Sequence, residues 1–139
     1  GEYKKKCYGK NLLEKASLFC EEQKKGFEIE NVRNDDYDSY FTTSDGQRNC
    51  RIHIKFDKEY DIHRVVLKEN IKKSQRIEAF RILTVHDGSE KCVFEGTVVG
   101  YKKIALLDQI QTKELVKELV IEIIDSRVAP TLSYIGIFE

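Results

Sequence analysis

Apolar and polar residues alternate strictly from Cys50 to Asp57, in the order Arg-Ile-His-Ile-Lys-Phe. That period of two sets Ile52, Ile54 and Phe56 on one face of a strand and Arg51, His53 and Lys55 on the other. Further runs rich in β-branched and aromatic residues lie at 64–68, 76–85, 91–94, 97–106, 119–124 and 134–138, with the length and composition of strands. Asp87-Gly88 stands between two of them. Both residues tolerate the positive φ of a primed turn, so 76–85 and 91–94 are expected to pair as an antiparallel hairpin. The one rival helix is Thr112 to Val120, whose Glu-Leu-Val-Lys-Glu-Leu-Val admits a turn or two, but it runs straight into Val-Ile-Glu-Ile-Ile and reads as loop, then strand. The polar and aromatic stretch 26–44 reads as a structured loop. Short strands with frequent turns and no long amphipathic helix predict an all-β sandwich or barrel.

The 139 residues fit one domain with a single core. Lys and Arg total 24, as do Asp and Glu, so no global field draws the chain to nucleic acid or an anionic membrane. Apolar runs such as Leu119 to Ile124 are interrupted by Glu122 and fall far short of the roughly 20 residues of a membrane span. A chain that starts at Gly and contains no Met reads as a piece of a longer protein, with residues 1–10 a boundary extension and 11–139 one module.

Cys7, Cys20, Cys50 and Cys92 show no C-x-x-C spacing, and His53, His63 and His86 do not cluster with them, which argues against zinc. Cys50 and Cys92 belong to strand regions, where free thiols act as small buried hydrophobes; a Cys20–Cys50 disulfide is the alternative. Hydrolysis of a glycosidic bond needs two carboxylates set across it, and here the acids are interspersed with bases so that no pair stands out. Gly-x-Ser-x-Gly, H-E-x-x-H and phosphate-cradling glycine motifs are also missing from the sequence. The expectation is a non-catalytic domain.

Three segments carry a family resemblance. Asp35-Asp36-Tyr37-Asp38-Ser39-Tyr40-Phe41-Thr42-Thr43 resembles the acidic, hydroxyl and aromatic loop of the discoidin or coagulation-factor type C modules, the galactose-binding-like domains. Val66-Leu67-Lys68-Glu69-Asn70-Ile71 with Ser74-Gln75-Arg76-Ile77-Glu78-Ala79-Phe80, and Gly96-Thr97-Val98-Val99-Gly100-Tyr101-Lys102-Lys103-Ile104, are similar to one branch of them. That branch follows the catalytic barrel in bacterial α-L-fucosidases of glycoside hydrolase family 29. Asp125-Ser126-Arg127 with Pro130 resembles its closing loop.

The resemblance spans nearly the whole chain and implies a jelly-roll β-sandwich serving as an accessory, carbohydrate-binding module. Its expected partners are a glycan containing galactose or fucose and the catalytic domain of the same polypeptide, in an extracytoplasmic setting. It implies sugar contacts from Tyr40, Arg48, Glu69, Asn70 and Tyr101, with Tyr37 and Gln75 nearby, and a core role for Phe41. Gln75 and Arg76, at a strand start, are equally suited to satisfying loop carbonyls. Related modules hold a structural Ca²⁺ on hard oxygen ligands, and Asp35 and Ser39 match those positions, whereas Tyr134 stands where many relatives supply a Glu. Without the ion, Asp35 and Asp38 would cap turns. Two other readings stay open: a domain that only packs on the catalytic barrel, and a protein- or lipid-binding discoidin module with apolar loop tips, against which the polar loops at 45–48 and 86–88 count.

Overall fold

The computed structural model describes residues 9–107 and 114–139. Cys7 and most of the boundary extension at 1–10 lie outside them. Among the described residues ten strands form three antiparallel sheets. The largest has the order β1 (Ser17–Phe19), β3 (Cys50–Tyr60), β8 (Val116–Ser126), β5 (Ile77–His86), β6 (Ser89–Gly96). Opposite it lies a three-stranded sheet of β10 (Tyr134–Phe138), β4 (Arg64–Lys68) and β7 (Lys103–Leu106). A two-stranded ribbon, β2 (Phe41–Thr42) with β9 (Thr131–Leu132), completes the set. This is a jelly-roll β-sandwich.

The alternation along β3 does what its pattern predicts. Ile52, Ile54 and Phe56 are buried while Arg51, His53 and Lys55 are half-buried or exposed. Their inner face meets Phe80 and Ile82 of β5 and Leu119, Ile121 and Ile123 of β8, and the facing sheet contributes Val65, Leu67, Ala105, Ile135 and Ile137. Phe41 is fully buried. At the Asp87-Gly88 turn both φ angles are positive, 51° and 82°, and β5 and β6 pair across it from His86↔Ser89 onward, as the primed-turn chemistry requires.

Two expectations need correction. The run 97–106 is a strand only from Lys103, because Gly100 adopts φ +64° and turns the chain where an L-residue would be strained. Cys92 is exposed rather than buried, since it faces outward on the edge strand β6. Of the segment 112–120, residues 112 and 113 lie outside the described region, and strand begins at Val116.

On the outer face of the large sheet, the register Arg51↔Glu122↔Arg81 aligns a carboxylate between two guanidinium groups. Arg51 Nη1 donates to Glu122 Oε2 at 3.2 Å, Arg81 Nε donates to Glu122 Oε1, and Arg51 also pairs with Glu90. Partial burial works to raise the Glu122 pKa, but the hydrogen bonds and charges of Arg81 and Arg51 outweigh it and hold the carboxyl below its ordinary 4.5. A depressed carboxylate pKa adds stability above the unfolded value and loses it as pH falls through the folded one. Solvent screening keeps the contribution to about 1 kcal/mol or less. Glu122→Gln should therefore lower the melting temperature at pH 7 by up to about 4 °C, and the gap to wild type should close as the pH drops below 4.5. A gap that stays constant down to pH 2.5 in parallel thermal melts would contradict this role.

Candidate functional site

At one end of the sandwich the loops are hung from Glu69, which follows β4 and has no exposed surface. Its Oε1 accepts the backbone N–H groups of Arg76 at 2.7 Å and Ile77 at 3.0 Å, and its Oε2 accepts that of Gly100 at 2.7 Å. Its own N–H donates to the Gly100 carbonyl at 3.0 Å. Asn70, also fully buried, donates through Nδ2 to the Tyr37 carbonyl at 2.9 Å and accepts the Lys72 N–H at 3.2 Å, capping the short 3-10 helix Ile71–Lys73. Arg76 joins two loops: Nη1 donates to Ala129 O and Nη2 to Lys73 O, both at 2.9 Å. Arg76 thus satisfies loop carbonyls, and it also lines the cleft that these loops form.

These ties shape a cleft of about 410 Å³, a size ordinary for small-ligand sites. The β2–β9 ribbon contributes Thr42 and Thr131, and Tyr40 lines it together with Lys24, Lys73 and Asp45. Tyr40 is half-buried against Phe27, ring centroids 5.0 Å apart and tilted 47°. Lys24 Nζ lies 5.4 Å from the Phe27 centroid and Lys73 Nζ 5.9 Å from that of Tyr40. Aromatic surface beside hydroxyl, ammonium and carboxylate groups is the chemistry a pyranose needs, one apolar face and several hydroxyls. Asp45 is the one carboxylate among the described residues lining the cleft, whereas glycoside hydrolysis uses a pair.

The expected contacts are thus divided. Tyr40 lines the cleft. Glu69 and Asn70 do not, and this corrects their assignment: burial removes them from any ligand, and their polar atoms hold backbone. Arg48 is exposed on a neighbouring loop, its carbonyl held by Ser126 Oγ at 2.9 Å. Tyr101, 61 % exposed, belongs near Lys68 on another surface. Tyr37 is half-buried with Lys72 Nζ 5.5 Å from its ring centroid, and the exposed Gln75 lends its carbonyl to Arg127. Sequence reasoning missed Lys24, Lys73 and Asp45, whereas Thr131 is a buried wall of the cleft whose Oγ1 accepts the Asn70 N–H at 3.2 Å. The Asp45-Gly46 turn, with φ of 55° and 69°, was the legible signal for one of them.

The second surface is the outer face of the three-stranded sheet, a groove of about 430 Å³ lined by Arg64, Lys68, Lys102, Ile104, Tyr134 and Phe138, with Asp35 beside them. Lys68 Nζ donates to Asp35 Oδ2 at 2.7 Å and lies 5.1 Å from the Tyr134 ring centroid. Burial would lower the Lys68 pKa, but the Asp35 carboxylate outweighs it and raises it.

Ca²⁺ does not fit this donor set. Asp35 is paired with an ammonium, the Tyr37 and Tyr40 carbonyls accept amide N–H groups from Asn70 and Asn31 at 2.9 Å each, and Ser39 donates its N–H to Asp36 O. Among the described residues no three His, Cys, Asp or Glu converge on a metal position. The capping acid is Asp36, whose Oδ1 accepts the Asp38 N–H at 2.9 Å, rather than Asp35 or Asp38.

The model of the family "Anaphase-promoting complex, subunit 10 (APC10)" matches residues 6–82. An Arabidopsis thaliana protein named Alpha-L-fucosidase 1 is 27 % identical over 144 residues, covering 99 % of this chain and 28 % of that enzyme. The chain therefore spans little more than a quarter of that relative. Among solved structures, a Ruminococcus gnavus GH29 fucosidase in complex with fucose superposes with a TM-score of 0.83 at 24 % identity, covering 99 % of this chain and 28 % of that one. The family 32 carbohydrate-binding module of C. perfringens NanJ, in complex with galactose, superposes with a TM-score of 0.76 at 12 % identity over 92 % of this chain and 96 % of that module. The fold is the galactose-binding-like one.

Two outcomes follow for the buried and charged groups. Glu69→Gln turns an acceptor into an amide donor facing backbone N–H groups, and should cost about 2–4 kcal/mol in urea unfolding; a loss below about 0.5 kcal/mol would mean that the carboxylate is not the anchor. Because Lys68 already neutralises Asp35, melting temperatures in EGTA and in millimolar Ca²⁺ should coincide, and a shift of several degrees would restore the metal.

Proposed function

We propose that this chain, which belongs to the anaphase-promoting complex subunit 10 (APC10) family, is a non-catalytic carbohydrate-binding accessory domain of an α-L-fucosidase. The observation that carries the reading is the cleft at the loop end, where the half-buried Tyr40 ring stands among Lys24, Lys73 and Asp45. The similarity over 99 % of the chain to an α-L-fucosidase supplies the enzyme context. Galactose- or fucose-containing glycans are the proposed ligands. The proposed setting is extracytoplasmic, where such polymers are met. Arg48, exposed on the loop that carries Asp45 and Gly46, is the proposed contact for a longer glycan, and Tyr101 is left to the sheet face.

Such a domain acts through proximity. Even a millimolar contact raises residence on a polymer, because the linked catalytic site then meets its substrate at a high effective concentration. A second reading has its own observation. The three-stranded sheet exposes Ile104 at 45 % and Leu106 at 42 % on its edge strand, an apolar strip suited to packing on a neighbouring catalytic domain without any sugar bound.

Calorimetric titration with fucose, galactose, N-acetylgalactosamine and lactose separates the two. Saturable binding in the millimolar range, weakened at least about tenfold by Tyr40→Ala with the melting temperature little changed, is the expected result. Silence for every sugar up to tens of millimolar would sink the carbohydrate reading and leave the packing one.

A further inference from the structure

Cys20 and Cys50 stand thirty residues apart in the chain, yet both are buried, with 0 % and 3 % of their surface exposed. The antiparallel register explains their meeting. Strand β1 pairs with β3 through Leu18↔Ile54 and Phe19↔His53, so the chain leaves β1 at Cys20 running toward the start of β3 at Cys50. Both are free thiols in the structure, buried in one core cluster with their side chains in contact. Glu22 Oε1 accepts from the Cys20 thiol at 3.6 Å and from the Arg51 N–H at 3.1 Å, which links the chain beyond β1 to the start of β3.

We propose that Cys20 and Cys50 form a disulfide that staples the edge strand β1 to β3 and closes the segment 21–49, which carries Lys24, Tyr40 and Asp45 of the cleft. The inference is independent of what the cleft binds. The reaction is thiol–disulfide exchange with a disulfide oxidant such as oxidised glutathione. One cysteine thiolate attacks and forms a mixed disulfide, and the second displaces the remaining glutathione. Two protein thiols become one S–S bond while one glutathione disulfide is reduced to two glutathione thiols, which take up the two protons.

Timing follows from the surroundings. The hydrogen bond with Cys20, and then burial, raise the Cys50 thiol far above its ordinary range, and the thiolate is the attacking species. Exchange in the folded domain is therefore slow. The bond forms as the chain folds, and the same burial then shields it from reductants. Cys92 is exposed on the far edge strand of the sheet and does not take part.

The test is to refold the reduced chain in a glutathione redox buffer, denature it with iodoacetamide present, and map the unreduced digest by mass spectrometry. The expected result is a linked Cys20–Cys50 peptide, alkylated Cys92, and a melting temperature higher by on the order of 10 °C than in the reduced protein. The Cys7→Ser/Cys92→Ser double variant should keep both the link and the rise, and Cys50→Ser should lose both. Full alkylation of Cys20 and Cys50 after refolding, or linkage of either to Cys7 or Cys92, would overturn the proposal.

Discussion

A single buried carboxylate holds the loop end of this sandwich together. Removing an ion such as Glu69 from water costs several kcal/mol, and the cost is offset only because three backbone N–H groups point at its two oxygens, those of Arg76 and Ile77 on one side and Gly100 on the other. These donors come from the start of β5 and from the turn before β7, two places that make no strand pairing with each other. Gly100 reaches its position only by a left-handed φ. From that anchor the polar ties radiate outward: Asn70 fixes the carbonyl of Tyr37, and Arg76 fixes those of Lys73 and Ala129. The cleft is a consequence of these ties.

The strands that pack the core were legible in the sequence because each is long enough to show a period. Strands β4 and β10 fall at the bounds expected for them, and β3 and β8 extend beyond theirs. The ribbon β2–β9 was not legible, since two residues per strand carry no period. Strand β1, with three, is little better. Glu69 and Asn70 misled because a charged residue and an amide in a loop read as exposed ligand groups, and nothing local announces that distant N–H donors will gather on them. Lys24 and Lys73 stayed hidden for the converse reason: each is unremarkable alone, and the cleft exists only once segments far apart in the chain are brought together.

The domain presents two surfaces of different character. The loop-end cleft combines a half-buried ring pair with hydroxyl and charged groups, whereas the outer face of the three-stranded sheet lays two aromatic rings and three cations beside exposed aliphatic side chains. A module that extends an enzyme's hold on a glycan and also packs against its catalytic partner would use both. The Lys68–Asp35 pair suits such a division, since it settles the acidic loop with a protein cation and leaves its rings to the Lys72 and Lys73 side chains.

Backbone amide shifts of the isotope-labelled domain, followed during titration with galactose and with fucose, would place the ligand without presupposing a residue. The account predicts that the perturbed amides cluster at Lys24, at 40–46, at 73–76, and at Ala129 and Thr131 on either side of Pro130. Perturbations confined to Lys68, Lys102 and Tyr134 on the sheet face, with the loop end silent, would contradict it.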